Sequence, residues 1–147
     1  MSKIPFGKVL TGGVLAGVVL CGLDFLVQNY ILATDWQNAA HLRNVDLYLM
    51  GGPKALILMC AIDFVLGQVL MLTYAAIRPR FGPGAGTATI AGFLMFVPWA
   101  LSLATFGGIF ISWELYTRQA ALTLVATLLA SIAGAWIYGK EEGDPID

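Results

Sequence analysis

The 147-residue chain is 59% hydrophobic and 12% charged, with a mean hydropathy of +0.80, well beyond the roughly 45–50% apolar content of soluble domains. A net charge of −1 with eight scattered Lys and Arg supplies no basic field, which excludes nucleic acid as a partner. Two cysteines, both inside apolar runs, are not the framework of a small secreted domain; the composition is that of a membrane protein.

A bilayer core about 30 Å thick needs roughly 20 helical residues, and four stretches qualify: 9–33, 54–77, 87–111 and 115–138. The first follows a short cationic lead, Lys3 and Lys8, as a signal peptide does. It exceeds the roughly 7–15 residues of a signal-peptide core, so it is expected to remain as a transmembrane helix.

The connection 34–53 is the one sizeable segment between spans. Thr34 with Gln37 three residues on fits a capping box. The following "WQNAAHLRNVDLYLM" has enough apolar residues for a short amphipathic helix lying along the membrane surface; a plain connector is the alternative. His41, the single histidine, excludes a bis-histidine haem within this chain. One axial bond to a haem or chlorophyll stays open beside the simpler reading of a solvated side chain.

"GGP" at Gly51 to Pro53 stops one segment and puts proline where the second helix can begin. "RPRFGPGAG", from Arg78 to Gly86, is expected to be non-helical and to part the second span from the third. Pro98, beside Trp99, predicts a kink near the middle of the third span. "SWELYTR" is a very short link, so the third and fourth spans should form a tight antiparallel hairpin with Trp113 and Tyr116 at its interfacial end. The polar tail 139–147 has nothing to bury, and order there would require a partner.

Lys3, Lys8, Arg78, Arg80 and Lys140 fall on one side of this topology; Arg43, Lys54 and Arg118 fall on the other. This asymmetry favours both termini in the cytoplasm of a bacterial inner membrane. The expected fold is all-α: an integral membrane four-helix bundle in one domain, with a short interfacial helix between helices 1 and 2.

Two acidic residues interrupt this apolar background in matching contexts, "CGLDFLV" from Cys21 and "CAIDFVL" from Cys60. Counted from the ends of the shared connection, Asp24 and Asp63 come to one depth near the membrane centre, on small-residue faces that also carry Gly13, Gly17, Gln28 and Gly67. A charged aspartate there costs about 2.5–3.5 kcal/mol. Compensation is expected from protonation, from hydrogen bonds of Gln28, Gln68, Thr105 or Tyr74, from a bound cation or from a basic group of another subunit. The same count sets the two sulfurs about 9–10 Å apart in depth, too far to share one metal ion, so no metal is expected. The acids are either a proton-carrying pair or neutral groups that fix how the two helices meet. Ala126, Ala130 and Gly134 form a further close-contact stripe on the fourth span.

No zincin, nucleophile-elbow or phosphate-loop motif occurs, so an enzyme is not expected. The stripes point instead to an accessory or scaffold subunit of a larger respiratory, photosynthetic or oxygenase-type complex. A small proton-coupled transporter or channel using Asp24 and Asp63 is the alternative. Partners are then other membrane subunits, or a second copy, and the bilayer. Lipid is the expected bound molecule, with a pigment or a quinone compatible.

"GTATIAGFLMFVPWALSLATFGG" and, further on, "LLASIAGAWIYGK" resemble a loose group of uncharacterised small bacterial four-helix integral membrane proteins. The resemblance covers roughly the last sixty residues and implies the four-helix fold without an activity.

Overall fold

The computed structural model describes residues 5–42, 52–110 and 112–140, with the backbone alone for 106–110. Five α-helices follow in chain order: α1 (Phe6–Leu26), α2 (Ala33–Leu42), α3 (Pro53–Phe81), α4 (Ala85–Phe110) and α5 (Trp113–Lys140). No strand occurs among the described residues. The fold is all-α, and four segments are long and apolar enough to cross a membrane: Phe6–Ile31, Pro53–Phe81, Ala85–Thr105 and Trp113–Lys140.

The boundaries depart from the expected ones for identifiable reasons. α1 passes into a π-helical segment, Val27–Ile31, one residue wider per turn than an α-helix. The amide of Leu32 donates to Val27 O at 2.8 Å. α2 then begins at Ala33, one residue before Thr34, so Thr34 sits within the helix and is not the cap of a capping box. Residues 43–51 of the expected surface segment, and 141–147 of the polar tail, lie outside the described residues.

α3 starts at Pro53 behind an extended Gly52. It runs through Pro79 to Phe81, overturning the expectation that Arg78 to Gly86 is non-helical throughout. Pro79 forgoes one amide bond, while Arg78 and Arg80 place positive charge at the helix C-terminus, where the dipole favours it. Gly82, at φ 83°, ends the helix by donating its amide to Arg78 O at 2.8 Å. Gly84, at φ 116°, completes the turn; side chains with a Cβ rarely adopt either conformation. The turn is tied down by Tyr74 Oη, which accepts from the Gly84 amide at 3.3 Å, and by Thr87 Oγ1, which donates to Gly82 O at 2.7 Å.

α4 is helical without interruption across Pro98, so the proline causes no break. Ser102 Oγ donates back to Pro98 O at 2.8 Å and Thr105 Oγ1 to Leu101 O at 2.7 Å, which satisfies exposed hydroxyls inside an apolar helix. At the start of α5 Ser112 acts as the cap: its Oγ accepts the Leu115 amide at 3.2 Å.

The packing has two levels. Near the Gly82 turn, small residues such as Ala16, Ala88, Ala91 and Ala130 are fully buried around Leu70, Met71 and the edge-to-face pair Tyr74–Tyr138. Ser131 Oγ donates across to Ala88 O at 2.6 Å, fixing α5 against α4. At the opposite end Val27, Leu32 and Leu115 form a smaller cluster beneath Trp36 of α2. Trp36 Nε1 donates to Gln119 Oε1 at 3.4 Å, and Arg118 bridges Asp35 at 3.1 Å and Glu114 at 2.7 Å. These ion pairs are exposed and contribute under about 1 kcal/mol. The tryptophan and its apolar neighbours do most to hold α2 on α5.

Candidate functional site

α1 and α3 approach closely, and glycine makes the approach possible. A Cβ on Gly67 would lie 2.5 Å from both Gly13 O and Gly17 N, and one on Gly17 would lie 2.8 Å from Phe64 Cα. Those neighbours are backbone atoms, so only the absence of a side chain lets the two helices meet this closely. The same logic joins α1 to α5, where a Cβ on Gly134 would lie 2.8 Å from Gly12 O.

These contacts set an antiparallel register in which Gly13 faces Gln68, Gly17 faces Phe64, and Cys21 faces Cys60. Cys21 and Cys60 form a disulfide, their Cα atoms 5.1 Å apart. The expectation that the sulfurs stand two turns apart is therefore overturned. Equal counts from the helix ends proved a poor ruler, because the register is set where Gly67 seats between Gly13 and Gly17.

With the cysteines level, the aspartates cannot be. Asp24 lies three residues beyond Cys21 toward the α2 end, and Asp63 lies three beyond Cys60 in the opposite direction. The carboxyl-bearing positions are thus offset by about 9 Å along the axis, about 4.5 Å to either side of the disulfide, where a shared depth had been expected. In axial position the disulfide therefore lies between the two acid-bearing turns.

The environments of the two acids differ. Asp24 is half-buried. Asp63 is 3% exposed, and its Oδ2 is buried with no hydrogen-bond partner among the described residues. None of the four expected hydrogen-bond partners is bonded to either acid. Gln68 Nε2 donates to Leu10 O at 3.4 Å, while Tyr74 and Thr105 serve the turn and the α4 backbone. Gln28, in the π-helical segment, is half-buried and makes no hydrogen bond to either carboxyl among the described residues.

Of the remaining candidates, Ala126 and Ala130 are buried on α5 with Gly134, and Gly92 of α4 packs near Thr127 O and Ser131. His41 is exposed in the last turn of α2, a position that suits a solvated imidazole. Among the described residues no group of three or more His, Cys, Asp or Glu is arranged to hold a metal ion.

The disulfide is what the sequence reading missed, although a signal for it existed. Seating Gly67 between Gly13 and Gly17, instead of counting from the ends, brings Cys21 opposite Cys60. Comparison with known proteins gives no further constraint, since no family model, curated protein or solved structure matches the chain.

Proposed function

We propose that the chain is an accessory or scaffold subunit of a larger membrane assembly of respiratory, photosynthetic or oxygenase type. It would sit in a bacterial inner membrane, with α2 at the outer interface and both termini in the cytoplasm. The observation that carries this reading is the α1–α3 pair, joined both by backbone contact at Gly67 and by the Cys21–Cys60 bond. A pair fixed in this way is a rigid platform. Transport by alternating access instead requires elements around the site to move against one another. Large apolar side chains remain exposed on the outer faces, Ile57, Leu58 and Val65 on α3 and Phe93, Leu94 and Leu101 on α4, available to lipid or to neighbouring subunits.

Purification of the native chain in mild detergent tests the reading. A stoichiometric set of larger membrane proteins should copurify; a self-contained monomer or oligomer of this chain alone would overturn it. The proton-coupled transporter remains the second reading, because Asp63 Oδ2 is buried without a partner. Pairing of the acids at one depth no longer supports it.

Orientation is tested separately. Single cysteines introduced at positions 3, 80 and 144 of a chain with Cys21→Ala and Cys60→Ala should all be labelled from the same side of sealed vesicles. A split result would remove the proposed topology.

A further inference from the structure

We propose that Cys21 and Cys60 form a two-electron centre that, as a dithiol, passes its electrons to a lipid-soluble quinone, with Asp24 and Asp63 relaying its two protons. The inference rests on the reading that the four long helices span a bilayer, and it goes beyond a scaffold role.

Four features of the α1–α3 interface converge on this chemistry. The cysteines are bonded across two helices in their interior: Cys21 lies ten residues, about 15 Å, from the end of its span at Ile31, and Cys60 lies seven residues, about 10 Å, from Pro53. Water-soluble thiols such as glutathione would have to enter hydrocarbon to reach them. A partner dissolved in the bilayer already has access, because Cys21 and Cys60 are only half-buried and their chain neighbours Gly22 and Ala61 are exposed and small.

The third feature is the placement of the acids. Opening or closing a disulfide moves two protons as well as two electrons, and in a medium without water those protons need resident acceptors. Asp24 and Asp63 each stand one helical turn from the cysteine of their own helix, on opposite sides of the bond. The fourth is that Asp63 is buried with an oxygen that no hydrogen bond uses. Buried polar groups are ordinarily satisfied, and an exception calls for an explanation; holding a proton from Cys60 is one.

The step balances. From the dithiol, both S–H bonds break and one S–S bond forms. Two electrons pass to the quinone, and two protons pass by way of the carboxylates to its oxygens, giving a hydroquinone.

The test uses the full chain in quinone-free phospholipid vesicles, reduced with dithiothreitol and freed of reductant. Decylubiquinone is then added, quinone consumption is followed by ultraviolet absorbance, and free thiols are counted by maleimide gel shift. Expected is one quinone consumed per chain with loss of both thiols, at a rate at least about tenfold above that of glutathione disulfide at equal concentration, the difference coming from exclusion of charged solutes from hydrocarbon. Asp24→Asn with Asp63→Asn should slow the quinone reaction about 100-fold, the scale of a lost general base. Excess diamide given for hours should still close the bond of the same variant to completion, however slowly, showing that its cysteines still meet. Thiols that survive decylubiquinone but close with diamide would overturn the proposal, as would thiols that close with neither. A double variant as fast as the unaltered chain would overturn the role of the acids. A chain that fails to float with the vesicles would overturn the membrane reading, and this proposal with it.

Discussion

Replacing Gly67 with leucine is expected to prevent α1 and α3 from meeting and to abolish the Cys21–Cys60 bond, so that non-reducing gels with maleimide show two free thiols per chain. The cause is geometric. The first side-chain carbon alone would stand 2.5 Å from Gly13 O and Gly17 N, and because both belong to the facing backbone, no rotamer change relieves the overlap. Gly67→Ala is the milder form; forcing the helices apart should cost on the order of 3 kcal/mol in reversible unfolding from mixed micelles. Gly22→Ala provides the control. A Cβ there meets nothing within 4 Å, and the exchange removes a residue about 1 kcal/mol less favourable than alanine in a helix interior. If Gly67→Leu retained full cross-linking, the close approach of α1 and α3 would be refuted.

Loss of the disulfide should have the second large effect. The bond closes a segment with a sequence separation of 39 residues, for which chain-entropy reasoning gives about 4 kcal/mol. A denatured chain kept helical by micelles has less entropy to lose, so the measured value should fall at or below that figure. The diagnostic outcome lies in the pattern of variants. Cys21→Ala and Cys60→Ala should each cost nearly the full amount and the double variant scarcely more, because either substitution removes the same bond. Costs that simply add would mean the two residues act independently and are not bonded.

Hydropathy made the four long helices legible in the sequence, because length and apolarity are one-dimensional properties. Pro53 marked one helix start for a reason readable from a single residue. The small-residue positions Gly13, Gly17, Gly67 and Gly134 were legible as close contacts, since a missing side chain has few other uses at such spacing. Relative depth was not legible. It is a two-helix property, set where Gly67 seats between Gly13 and Gly17, and a count from helix ends inherits every error in those ends. The π-helical segment Val27–Ile31 at the end of α1 is one such error, as it does not follow from propensity. Asp63 is buried with an oxygen that no hydrogen bond uses among the described residues, and the pair level across the two helices is Cys21 and Cys60, not the two aspartates.

The contact between α1 and α5 has a consequence for the order in which the bundle can form. Gly12 of α1 lies against Gly134 of α5, and Ala16 of α1 shares a fully buried cluster with Ala130, yet α2, α3 and α4 all intervene along the chain. During synthesis the α1–α3 hairpin can close, and its disulfide form, long before the helix that covers the other side of α1 has been made. Until α5 arrives, the glycine–alanine groove of α1 is open to whatever shares the membrane. A chain halted after α4 would present that groove unfilled, a ready substrate for the membrane proteases and chaperones that inspect unfinished proteins.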